Sequence, residues 1–328
     1  MSNRKWSISL LVLTIVFIGL LLQFLFSTLR IRELVKPPAA VSEPAPRHIV
    51  LISQELDNPF WRSVEQGARD AVKQNGWELE YTGSFRINPA EQAKLLEKAI
   101  AAKADAILVQ GLGDPQYRQW IDKAIAQGIA VIAVDTDEPA SSRLSYVGTD
   151  NEAAGKQMGE LVIQKAGGAG SIGVLVGSSA QSQQLRLEGF RKAIGHNPAL
   201  AITEVRTSNI SRLQAEQQAA DMLKDHPQMQ IMVGFSALDG IGIMKAAERA
   251  KRSDLQIYAF DDLPETIEGI RQCKIASSIV QQPYRMGFDA VKLLEQYWSG
   301  QAPEKEHFIA VTLLDKAALD GAAGGACR

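Results

Sequence analysis

Four strongly hydrogen-bonding side chains stand just past the ends of short apolar runs: Asn58, Asp135, Asp261 and Gln281. The stretch I-S-Q-E-L-D-N-P-F-W at 52–61 adds two large aromatics, Phe60 and Trp61, beside the first of them. Carboxylates accept strongly from hydroxyl groups, and amides both accept and donate. An aromatic face can cover the C–H side of a sugar ring. The set therefore suits a neutral ligand rich in hydroxyls. Core packing would place Phe60 and Trp61 equally well, and the residues alone leave both readings open.

Such side chains work together only if one end of a sheet presents them. From residue 48 onward strand-like and helix-like segments alternate. Strands are expected at 48–53, 77–82, 106–110 and 130–134, with helices at 60–75, 89–102 and 115–127 between them. The pattern restarts with strands at 171–176, 201–206, 231–233, 256–260 and 276–280. Its helices are expected at 152–166, 183–194, 213–224, 239–250, 266–271 and 284–298. Short apolar strands between amphipathic helices mean βαβ units and parallel sheets. Two similar open α/β halves follow, with Y-V-G-T-D at 146–150 as the place to cross between them. Open sheets of this kind keep their sites beyond the carboxyl ends of the strands.

The bulk numbers agree. A chain of 328 residues is too long for one ordinary core, so two domains are the default. A net charge of −2 with no densely basic region does not favour nucleic acid. The first 46 residues differ in kind. Residues 7–29 carry no charge, and a helix of that length would span the ~30 Å hydrocarbon layer. The run is long for a cleaved leader, and Arg30 and Arg32 follow it directly, which reads as an uncleaved signal anchor. Arg4 and Lys5 on one flank against Arg30, Arg32 and Lys36 on the other do not settle orientation by charge. Residues 36–46, K-P-P-A-A-V-S-E-P-A-P, read as a semi-extended spacer.

Several motifs fall away. Gly168, Gly170 and Gly173 spell G-x-G-x-x-G, but between a helix and a strand rather than after a strand, so no pyrophosphate would meet a helix start. Asp135 with Asp137, and Asp261 with Asp262, are paired acids, yet Asp137 and Asp262 read as caps or solvated turn residues. The four histidines, His48, His196, His226 and His307, show no metal-ligand spacing, and no cofactor is implied. Cys273 and Cys327 are the only cysteines, and the Gly/Ala-rich setting of Cys327 argues against their pairing.

Taken in order, D-N-P-F-W (57–61), V-I-A-V-D (131–135), V-G-T-D-N (147–151), L-E-G-F (187–190), Y-A-F-D-D (258–262) and S-I-V-Q-Q-P (278–283) give a family resemblance. From Arg47 to about Leu314 the chain resembles the periplasmic sugar-binding proteins of the ribose-binding type, whose domain the lac-repressor family shares. The resemblance implies two Rossmann-like lobes joined by three crossings, with ligand buried between them. One lobe would hold 47–149 and 282–310, the other 150–281 and 311–328. It implies ligand roles for Asn58, Phe60, Trp61, Asp135, Asp261 and Gln281. Four positions depart from the ribose-binding pattern: Thr136 stands for an arginine and Gln184 for a second one, with Arg186 two residues away. Ile210 stands for a third aromatic, and Ser236 for an asparagine. Losing two rigid guanidinium forks argues against ribose itself.

The expectation is a non-catalytic, extracytoplasmic receptor for a monosaccharide or related polyol, held at the cell membrane. Its partner would be an ABC permease or a membrane histidine kinase, and the anchor raises the weight of sensing. A lac-type repressor would need a helix-turn-helix where the apolar segment stands. A glycosidase would need turnover that no motif supports.

Overall fold

A computed structural model describes residues 2–34, 46–165, 167 and 169–321. The chain divides into two units, 1–46 and 47–328. In chain order the elements are α1 (Ser2–Leu34), β1 (His48–Ser53), α2 (Pro59–Gln74), β2 (Glu78–Gly83), α3 (Pro89–Ala101), β3 (Ala106–Val109), α4 (Pro115–Ala126), β4 (Ala130–Val134) and β5 (Ser145–Gly148). There follow α5 (Asn151–Lys165), β6 (Gly170–Val176), α6 (Gln181–Ile194), β7 (Leu200–Thr207), α7 (Arg212–Asp225), β8 (Ile231–Gly234), α8 (Asp239–Arg249) and β9 (Gln256–Phe260). The last are α9 (Pro264–Arg271), β10 (Ser277–Val280), α10 (Pro283–Trp298), β11 (Glu306–Phe308), β12 (Thr312–Leu314) and α11 (Lys316–Asp320).

The first unit is α1. Its stretch Leu10–Ile31, 22 residues with a mean hydropathy of 2.6, is long and apolar enough to cross a membrane by length and composition. At about 1.5 Å per residue it reaches roughly 33 Å. Most of the spacer expected at 36–46 lies outside the described residues.

The second unit holds two six-stranded sheets of the same order, β11-β5-β4-β3-β1-β2 and β12-β10-β9-β8-β6-β7. The strands run parallel except β12, which is antiparallel to β10. This is the two-lobed α/β architecture expected from the alternation. Sequence explains the ranks within each sheet. β3 (AILV) and β4 (AVIAV) are buried at every position, as central strands covered on both faces must be. β2 and β7, at the free edges, carry polar residues between partly buried ones. In the first lobe α2, α3 and α4 start alike, with Asn58, Asn88 or Asp114 as N-cap and proline next. The side-chain oxygen satisfies an orphan amide, and proline at the first helical position sacrifices no bond.

The chain passes between sheets after β5, after β10, and between β11 and β12. All three passages lie at the same edge, opposite β2 and β7. Of the stretch 146–150 where the sequence suggested a crossing, residues 146–148 belong to β5, paired with β4 and β11, and the crossing follows at 149–150. Strands of three or four residues show no period of their own and are set by their neighbours. Gly170 and Gly173 lie within β6, so the glycine-rich run opens no helix; Gly168 lies outside the described residues. Cys273 is disulfide-bonded, against the expectation from sequence; Cys327 lies outside the described residues.

In each lobe a helix pair is in contact so close, with a glycine on both helices, that only glycine fits. A Cβ on Gly67 of α2 would overlap the Tyr284 carbonyl of α10, and one on Gly287 of α10 would overlap the Val64 carbonyl. In the other lobe Gly155 of α5 and Gly189 of α6 stand in the same relation to the Arg186 and Glu152 carbonyls. Gly189 belongs to the L-E-G-F motif, so that motif marks a helix contact. Gly287→Ala should force α2 and α10 apart and destabilise the protein by about 1–3 kcal/mol, despite alanine's better helix propensity. A lowered urea midpoint is the readout; an unchanged or raised midpoint would contradict the packing.

Candidate functional site

The carboxyl ends of the two sheets face one cavity. One wall comes from the first lobe. The turn from β1 to α2 brings Asn58, Phe60 and Trp61, the end of β3 brings Gln110, and the end of β4 brings Asp135. The other wall comes from the second lobe: Gln183 and Arg186 on α6, Ile210 after β7, Ser236 after β8, Asp261 after β9 and Gln281 after β10.

The local sequence explains how each group is aimed. Asn58 caps α2, its Oδ1 accepting from the Phe60 amide at 2.9 Å, while its Nδ2 donates to Glu55 at 3.1 Å. One lone pair and one N–H of that amide remain for a ligand. Phe60 is half-buried, whereas Trp61 is only 2% exposed and belongs to the core of the first lobe while also lining the cavity. The two rings meet edge to face with centroids 5.9 Å apart. Trp61 thus packs as the core reading expects, and both rings border the cavity. Asp135 and Asp261 have φ of 68° and 63°, a left-handed conformation that is costly for a residue with a Cβ.

Arg186 is the cation of the site and is 2% exposed. Its Nε donates to Asn151 Oδ1 at 2.7 Å, Nη1 to the Phe235 carbonyl at 2.8 Å, and Nη2 to Gln281 Oε1 at 2.6 Å. The guanidinium carbon lies 4.5 Å from the Phe260 ring centroid. Gln281 in turn donates from Nε2 to both oxygens of Asp261 at 3.2 Å. Across the cavity Gln110 Nε2 donates to Asp135 Oδ2 at 2.7 Å and to Thr136 Oγ1 at 3.2 Å. Burial raises both acids, and the nearby Arg186 charge offsets part of that: Asp135 is moved up from the usual carboxylate range, and Asp261 is raised to about 6. Burial likewise lowers Arg186, against the pull of Asp261 and Asp135.

One polar atom of the lining, Gln110 Oε1, has no partner among the described residues. The carboxylate of Asp135 holds the Gln110 amide with its NH2 turned to the acid, so the free atom is the acceptor. Such buried groups lose free energy unless a ligand satisfies them.

Of the residues singled out from sequence, Asn58, Phe60, Trp61, Asp135, Arg186, Ser236, Asp261 and Gln281 line this cavity. Two do not. Gln184 is exposed on α6, because Gln183 and Arg186 occupy the inward face and the next position points away. Thr136 is buried behind Asp135, donating to Asp135 Oδ2 at 3.1 Å and meeting Ser182 Oγ of the other lobe at 2.9 Å. Gln110 escaped the sequence reading because it was taken as the last residue of a strand. The signal was present: it is the first residue past β3, as Asp135 is past β4. Asp137 is ion-paired with Arg143, and Asp262 is exposed, so neither forms a working pair with its neighbour. Among the described residues no cluster of His, Cys, Asp and Glu is arranged to hold a metal ion.

The raised Asp261 has a measurable consequence. Its folded state binds the proton more tightly than the unfolded chain, so folding is favoured at the acid end. Stability should fall as pH rises from about 4 to about 6, by on the order of 2–3 kcal/mol from this group. Asp261→Asn should remove that part of the slope in urea unfolding of ligand-free protein between pH 4 and 7. Equal slopes in variant and wild type would refute the assignment.

Comparison with known proteins bears on the same segment. A model of the periplasmic binding protein domain matches residues 49–302. The ribose import binding protein of Escherichia coli K12 is 23% identical over 269 residues, 82% of this chain and 90% of that protein. The crystal structure of GanP, a glucose-galactose binding protein from Geobacillus stearothermophilus, is 38% identical with a TM-score of 0.81, covering 84% of this chain and 99% of that one. The XylFII–LytSN complex includes a chain 31% identical with a TM-score of 0.79, covering 84% of this chain and 100% of that one. A domain match over most of the chain, a shared two-lobed fold and identity of this order leave one assignment: the protein belongs to the periplasmic binding protein domain family.

Proposed function

We propose that the second unit is a receptor for a neutral monosaccharide, bound between the lobes, and that α1 tethers it to the outer face of the cell membrane. The observation that carries the reading is the pair of acids, Asp135 and Asp261, at equivalent strand ends of two different sheets, facing one cavity with Gln110 Oε1, which has no partner among the described residues. Two carboxylates against one guanidinium leave an excess of acceptors. That favours a donor-rich, uncharged guest over an acidic or phosphorylated sugar. Thr136 in place of an arginine removes one more donor from the wall. Asn58, Asp135, Arg186, Ser236, Asp261 and Gln281, with Gln110, would hold the hydroxyls, and Phe60 and Trp61 would cover a ring face. The likeness to a glucose-galactose binding protein and to a ribose import binding protein supports an aldose.

Two destinations for the bound form follow: delivery to an ABC permease, or engagement of a membrane sensor such as a histidine kinase. The similarity to XylFII, solved in complex with LytSN, together with the apolar α1, supports the second. Gene deletion separates them. Loss of labelled-sugar uptake marks import, whereas loss of a sugar-induced transcriptional response with uptake intact marks sensing.

The binding reading predicts that full-length protein in a detergent without a sugar headgroup is stabilised by at least one of D-glucose, D-galactose, D-xylose, L-arabinose and D-ribose. At a hundred times the dissociation constant the gain is about 2.7 kcal/mol, a visible thermal shift. Glucuronate and sugar phosphates should give none. Gln110→Ala should weaken the sugar that binds by about 1–3 kcal/mol, because a ligand hydroxyl loses its acceptor inside a closed site. Trp61→Ala should lower affinity and also cost about 3–5 kcal/mol of stability, as a core aromatic does. Absence of any shift across the panel, or hydrolysis of nitrophenyl glycosides, would overturn the reading.

A further inference from the structure

Asp135 and Asp261 are held by the same device at the same register in both lobes. Tyr146 on β5 pairs with Ala133 of β4, two residues before Asp135. Ser278 on β10 pairs with Ala259 of β9, two residues before Asp261. β5 and β10 occupy the same place in their sheets, next to the strand that carries the acid. Each acid donates its amide to the following residue of that neighbour: Asp135 to the Val147 carbonyl at 3.0 Å, Asp261 to the Ile279 carbonyl at 2.8 Å. The acid's own carbonyl then turns to a buried hydroxyl of the neighbour. Tyr146 donates to the Asp135 carbonyl at 2.9 Å, and Ser278 to the Asp261 carbonyl at 2.6 Å.

We propose that Tyr146 and Ser278 are the positioning residues of the two acids, each fixing the left-handed turn that points a carboxylate into the cavity. This rests on the sugar-receptor reading. Neither side chain lines the cavity, and both are buried, at 3% and 0% exposure. A left-handed residue with a Cβ persists only where its surroundings over-determine it. Here the peptide flanking each acid is held at both its N–H and its C=O by one neighbouring strand. The device is built from unlike side chains, a phenol in one lobe and a short alcohol in the other, which argues that the bond rather than the side-chain volume is what matters. The Tyr146 hydroxyl is itself placed, lying 3.0 Å from the Thr149 carbonyl and accepting from Asn151 Nδ2 at 3.4 Å. Gly148 leaves room for its ring, since a Cβ there would overlap the phenol.

The test compares Tyr146→Phe and Ser278→Ala with wild type in full-length protein, titrated with the aldose panel above by calorimetry. Each single variant should bind the preferred sugar about tenfold more weakly. In an Asp135→Ala background, where there is no carboxylate to place, Tyr146→Phe should have no further effect on affinity. The same holds for Ser278→Ala in Asp261→Ala. Wild-type affinity in both single variants would overturn the proposal. So would an equal loss in the acid-free backgrounds, which would mark a general structural role. If one variant fails to fold, the other decides, because the two sit in separate lobes. Should wild type bind none of the panel, the receptor reading fails first, before any substitution is made, and the proposal falls with it.

Discussion

Two largely buried carboxylates facing one cavity need a cation to balance them, and the rest of the site is arranged around that demand. Arg186 supplies the charge from the first turns of α6. It stays in place because its guanidinium donates to Asn151, Phe235 and Gln281, on three different segments of the second lobe. Burial of a guanidinium is tolerated only when its donors are satisfied and its charge is matched. Asp261 is matched through Gln281, and Asp135 acts on Arg186 through the field across the cavity. The walls of the two lobes are thus electrostatically one object, even though they belong to different sheets.

Much of the architecture was legible in the chain because its central strands are unbroken apolar runs between amphipathic helices. β4 and β9 kept the bounds read from sequence, since A-V-I-A-V and Q-I-Y-A-F are followed at once by an acid that ends the run. Two short strands at the crossing edge were not legible. β5 and β11 owe their existence to pairing with distant partners, and no local pattern announces them. At the site the strand-end rule found Asn58, Asp135, Asp261 and Gln281, and it would have found Gln110 had the strand been ended one residue sooner. Helix phase, which separates Arg186 from Gln184, needs the start of α6 to within a residue, and sequence placed it two residues late. The parts played by Tyr146 and Ser278 depend on cross-strand register and could not be read from one dimension.

Thr136 shows how one departure from the family pattern is absorbed. An arginine there would bring a second charge and a fork of donors. Threonine brings one hydroxyl, which turns to Asp135 and to Ser182 on the facing lobe. Gln110 then takes over as the donor to Asp135. The acid keeps neutral hydrogen bonds in place of an ion pair, which leaves more of its accepting capacity and a more negative cavity for whatever enters.

The segments that join the sheets end in the same few side chains that form the wall. Thr149, just after β5, donates to Gln281, just after β10, and Gln281 holds both Arg186 and Asp261. Selectivity and mechanics therefore draw on shared atoms. A substitution at Gln281 or Arg186 that reshapes the wall also rewires the bonds between the joining segments, and neither property can be altered alone.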